Sequence, residues 1–69
     1  MIVVGCRVVH RLDARLQGEV VWLSPWRRLC RIRITSRPVG NKLRVGQEYD
    51  FPTEDWGEAG MQDTGAEEA

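Results

Sequence analysis

Few side chains in this chain could do chemistry: His10, Cys6, Cys30, ten carboxylates, and ten cations of which nine are arginine. A histidine acting as general base needs a nucleophile and an orienting acid beside it, and His10 has neither in evident position. Cys6 and Cys30 are not a CxxC pair. A structural zinc site would need four ligands at recognisable spacing, so none is expected within the chain. Neither cysteine has a helix N-terminus or a local base to make it reactive. Both fall on inward positions, where buried free thiols are the default and a cross-strand disulfide stays open as an alternative. Paired acids occur only near the C-terminus, without the apolar pocket that would raise a carboxylate into acid catalysis. No glycine-rich loop is present to cradle phosphate. The chain therefore reads as having no catalytic residues, no metal site and no cofactor, and as something other than an enzyme.

The chemistry that remains is recognition by charge and aromatic surface. All ten cations lie between Arg7 and Arg44, so residues 1–46 carry +8, with only Asp13 and Glu19 opposing. Residues 47–69 contain eight acids and no Lys or Arg, giving −8. Such a split points to a polyanion partner, an acidic tail, or both. Arginine's planar fork suits phosphate and base edges, although a compositional bias toward Arg would give the same count.

The elements that must position these residues start with Gln17 to Ile34, QGEVVWLSPWRRLCRIRI, two alternating runs joined by a Pro-containing turn. That is a β-hairpin signature. With Leu23 opposite Leu29, Trp22 faces Cys30, Val20 faces Ile32 and Gly18 faces Ile34 on one apolar face. The other face then pairs Val21 with Arg31 and Glu19 with Arg33. Pro25 takes the fixed-φ position of a type I turn, which leaves Trp26, flanked by Arg27 and Arg28, at the hairpin tip.

Before the hairpin, Ile2 to Arg11 alternates as a strand with Gly5 as a bend or bulge, placing Arg7 and Arg11 on the outward parity. Leu12 to Leu16 reads as a loop, too short to nucleate a helix. After the hairpin, Ser36 to Asn41 reads as a loop. Lys42 to Phe51 alternates again, and Gly46 makes it either one bulged strand or two short strands meeting at a turn. Pro52 to Trp56 reads as a closing turn, possible as a short 3₁₀ segment capped by Thr53, with Trp56 plugging the open end of the sheet.

The expected fold is all-β: a small antiparallel β-barrel or strongly bent sheet of four or five strands, SH3-like, Sm-like or OB-like, spanning residues 1–56. Residues 57–69 are expected to be a disordered acidic tail. A folded unit of this size buries little surface, which favours a very compact barrel or a homodimer. With no basic leader and no run of membrane-spanning length, the cytoplasm is the expected location.

Two short stretches resemble known families. Arg15-Leu16-Gln17-Gly18-Glu19-Val20 is similar to the Leu-x-Gly-x-Val step of Sm-like RNA-binding proteins. Gln17 to Trp22 also resembles a strand of the plasmid-borne SH3-like dihydrofolate reductases, whose Val-Gln-Ile-Tyr active-site strand has no clean counterpart in Val45-Gly46-Gln47-Glu48-Tyr49. Both resemblances imply a small barrel, and neither carries a function over.

The expected function is binding of single-stranded DNA or RNA, since no recognition helix for duplex DNA is apparent. Arg7, Arg11, Arg31 and Arg33 on the outward face, with Arg27 and Arg28 at the tip, would track the backbone while Trp26 or Tyr49 stacks a base. The alternative is a protein-interaction module or small regulator, because exposed Arg and Trp are typical of interface hot spots.

Overall fold

The alternation that runs from Gln17 to Ser36 folds into the central hairpin of a five-stranded antiparallel sheet, in a computed structural model that describes residues 1–59. The strands are β1 (Arg7–His10), β2 (Gln17–Leu23), β3 (Leu29–Ser36), β4 (Glu48–Pro52) and β5 (Trp56–Glu58), with a 3₁₀ turn at Thr53–Asp55 between the last two. Their order across the sheet is β4–β3–β2–β1–β5. β4 and β5 are its two edges and do not pair, so the sheet is open rather than a closed barrel. It is nonetheless curled, because Phe51 on one edge and Trp56 on the other bring their rings to 5.1 Å. No helix among the described residues is long and apolar enough to cross a membrane.

The inner face carries the core. Val8, Val20, Cys30, Ile32, Ile34 and Trp56 are essentially inaccessible, and Ile2, Leu43, Tyr49 and Phe51 pack around them half-buried. Complete burial of an aliphatic side chain contributes roughly 1.5–3 kcal/mol. Trp56 fills the centre, with His10 edge-on at 5.2 Å. Leu16, in the stretch read as a plain loop, also enters the core. It does so because the 10–16 turn closes on itself: His10 N donates to Leu16 O, and Leu16 N donates to Asp13 O.

Gly5 and Gly46 do the same job at two strand entries. Gly5 N donates to Val20 O while Val20 N donates to Cys6 O, and Gly46 N donates to Ile34 O while Ile34 N donates to Gln47 O. Each is a β-bulge in which two residues oppose one, and the glycines supply the positive φ of 95° and 91° that this needs. Of the two alternatives for Lys42 to Phe51, the outcome is a turn and bulge leading into the short β4.

Three details depart from the sequence reading. The first half of the hairpin register is as read, with Gly18 opposite Ile34, Glu19 opposite Arg33 and Val20 opposite Ile32. A register shift between Val20 and Trp22 then sets Trp22 opposite Arg31 and Leu23 opposite Cys30. Trp22 consequently turns outward. Thr53 does not cap the 3₁₀ turn: Pro52 is its N-cap and contributes no side-chain bond. Finally, the sheet continues beyond Trp56. Gly57 and Glu58 pair with Val9 and Val8, and Ala59 is buried with its N–H donated to Arg7 O. The remainder of the expected acidic tail, residues 60–69, lies outside the described residues.

Candidate functional site

The outward face of the sheet is ordered by charge. Across β1, β2, β3 and β4 one row reads Arg7, Glu19, Arg33, Glu48, each opposite the next. Opposite charges facing across a ladder favour that register, and like charges disfavour it. Arg33 Nη2 donates to Glu19 Oε1 at 2.8 Å. A second row holds Trp22, Arg31 and Asp50. Arg31 forks onto the Asp50 carboxylate at 2.8 and 3.4 Å and lies over the Trp22 ring, 5.7 Å from its centroid. The hydrogen bond from Arg31 holds Asp50 below the usual carboxylate range, and Asp50 and Glu19 in turn raise Arg31 and Arg33. Pairs this exposed add little stability. Their larger consequence is that the sheet face is internally compensated.

The hairpin tip is built differently. Ser24 organises it: Arg27 N donates to Ser24 O at 2.9 Å, and Ser24 Oγ accepts from Arg28 N and Leu29 N, both at 3.1 Å. Pro25 and Trp26 occupy the centre of that turn, and Arg27 leaves it in the left-handed region at φ 61°. Trp26 is 84% exposed. Arg27 reaches the carbonyl of Ile2 through Nη1 at 3.4 Å, and neither Arg27 nor Arg28 has a carboxylate partner among the described residues.

No family model, curated protein or solved structure matches this chain. Its surface is therefore read from its own geometry.

The structure divides the residues nominated from the sequence into three groups. Arg7, Arg31 and Arg33 lie in the compensated rows of the sheet face. Arg27, Arg28 and Trp26 stand together at the tip. Arg11 joins them from the loop after β1, where its Nε donates to Trp56 O at 3.3 Å, and it lines with Arg27 a surface cavity of about 450 Å³. Tyr49 belongs to neither surface. It sits opposite Ile32 on the inner face, half-buried, and its hydroxyl accepts from Arg44 N at 3.0 Å.

Two residues that strict alternation hides are Trp22 and Glu54. Trp22, 42% exposed, reaches the outer face only through the shift beside it. Glu54 sits on the 3₁₀ turn, and a cavity of about 370 Å³ is lined by Arg27, Arg28 and Glu54. Its placement follows from β4–β5 geometry that no local motif announces.

Proposed function

We propose that this protein binds single-stranded DNA or RNA through the tip of its β2–β3 hairpin. The observation that carries the reading is an indole 84% exposed on a hydrogen-bonded turn, beside two arginines that form no ion pair among the described residues. An exposed aromatic ring stacks any base, and such stacking is worth about 1–3 kcal/mol per base. Arg27, Arg28 and Arg11 then follow the phosphates, while Trp22, backed by Arg31, offers a second ring on the adjoining face. Among the small-barrel types, we assign the SH3-like arrangement. The order β4–β3–β2–β1–β5, with a 3₁₀ turn before the last strand, supports it.

With three arginines on phosphates of a single strand, log K should fall against log salt with a slope of about −2. Trp26→Ala should weaken a short oligonucleotide by about ten- to a hundredfold. Arg33→Gln should change it less than about twofold, because Glu19 already matches that arginine. Fluorescence anisotropy on a labelled mixed-sequence oligonucleotide measures all three. Absence of binding at low salt would overturn the proposal. If a nuclease-resistant protein partner were instead captured and lost in Trp26→Ala, the same tip would be a protein-docking element.

A further inference from the structure

We infer that the groove beside the hairpin tip is a nucleotide subsite that prefers guanine. The inference rests on single-strand binding at the tip and adds a base preference to it. The groove is the cavity of about 450 Å³ between the N-terminal arm and the β4–β5 connection, bordered by Ile2, Arg11, Arg27, Glu54 and Trp56. Small-ligand sites span roughly 300–1,000 Å³. The cleft lined by Arg27, Arg28 and Glu54 adjoins it, since Arg27 and Glu54 border both. The two clefts therefore form one path past Arg27, the residue that follows Trp26 in the chain.

The charges of the groove define the ligand. Glu58 is matched by the ammonium group of Met1. Arg11 spends Nε on the Trp56 carbonyl and Arg27 spends Nη1 on the Ile2 carbonyl, which leaves the remaining N–H groups of both forks for a guest. Glu54 is exposed, and among the described residues its carboxylate has no ion pair. A simple anion placed here would meet Glu54, and a simple cation would meet both arginines. The complementary guest carries an anionic group together with adjacent N–H donors, as a nucleotide does.

Among the bases, guanine presents N1–H and N2–H₂ side by side, matching the two oxygens of one carboxylate. Uracil and thymine present a single N–H between two carbonyl oxygens, which a carboxylate repels. The phosphate accordingly belongs to Arg11 and Arg27, and the base edge to Glu54. Charge-assisted pairs of this bidentate kind discriminate by about tenfold or more.

The test is anisotropy with the full chain on two labelled strands, a short oligouridine and the same strand carrying one guanosine. Wild type should bind the guanosine strand about tenfold tighter. Glu54→Gln, an exposed and nearly isosteric change, should bring the two strands within about twofold of each other, because its amide N–H₂ opposes a guanine donor. Arg11→Gln should weaken both strands alike and reduce the salt slope by about 0.7. Equal binding of both strands by wild type, or a guanosine preference that survives Glu54→Gln, would overturn the subsite while leaving binding at Trp26 intact. Failure of wild type to bind either strand would instead overturn binding at the tip and the subsite with it.

Discussion

Gly18 has no room for a side chain. A Cβ built on it would lie 2.3 Å from Ile32 Cγ2 and 2.7 Å from the carbonyl oxygen of Arg33, and the second neighbour is backbone that cannot rotate away. Gly18→Ala should therefore cost about 1–3 kcal/mol, the usual range for overpacking. Urea denaturation checks it, as a lower midpoint with an unchanged slope. Arg27 is the converse case. A non-glycine residue in the left-handed region carries roughly 1–2 kcal/mol of strain, and glycine gives back about 0.5–1 in chain entropy. Arg27→Gly should hold or raise the unfolding midpoint while weakening oligonucleotide binding several-fold, which would mark Arg27 as retained for its charge. A lower midpoint would show that its contact to the Ile2 carbonyl matters more to the fold than the strain does. At this scale Trp26, Arg27 and Arg28 are legible from the chain alone, because a Pro-containing turn exposes whatever it carries. The carboxylates opposing Arg31 and Arg33 are only half legible: Glu19 follows from hairpin register, whereas Asp50 depends on how β4 aligns after the Gly46 bulge.

Elements differ in how much of their pairing is local. The β2–β3 hairpin is read correctly from Gly18 to Val20 because apolar alternation makes a one-residue slip costly. Toward the turn that signal weakens, since Val21, Trp22 and Leu23 are all apolar and alternation cannot say which of them faces out. The register shift resolves the ambiguity by sending Trp22 to Arg31 and Leu23 to the core. β5 is three residues long with no alternation at all, so its pairing with β1 is invisible until Trp56 finds the core. The β3–β4 pairing makes a prediction about acid. Asp50 has a folded pKa below its unfolded value because of the hydrogen bond from Arg31. Its contribution to stability is present above the unfolded carboxylate value of about 3.9 and is lost as pH falls through the lower folded value. Asp13, lowered by Arg15, titrates in the same direction. Asp50→Asn should therefore flatten the acid limb of a stability-versus-pH curve while leaving the neutral region shallow. A curve that parallels wild type below pH about 4 would show that the pair contributes nothing to acid sensitivity.

For the whole molecule, the distribution of charge matters more than its sum, which is zero. The described residues contain ten cations and seven carboxylates, a net of +3, and Asp63, Glu67 and Glu68 in residues 60–69 bring the total back to neutral. A chain of zero net charge gains little electrostatic steering toward a polyanion, whereas one of +3 gains some. Truncation after Ala59 should accordingly speed association with an oligonucleotide several-fold near 0.01 M salt, where the screening length is about 30 Å. The advantage should fade at about 0.15 M, where that length is roughly 8 Å. Stopped-flow fluorescence with a labelled oligonucleotide separates the alternatives. Equal association rates for full-length and truncated protein at low salt would mean that the C-terminal acids do not screen the tip, and a gain independent of salt would point to steric rather than electrostatic relief.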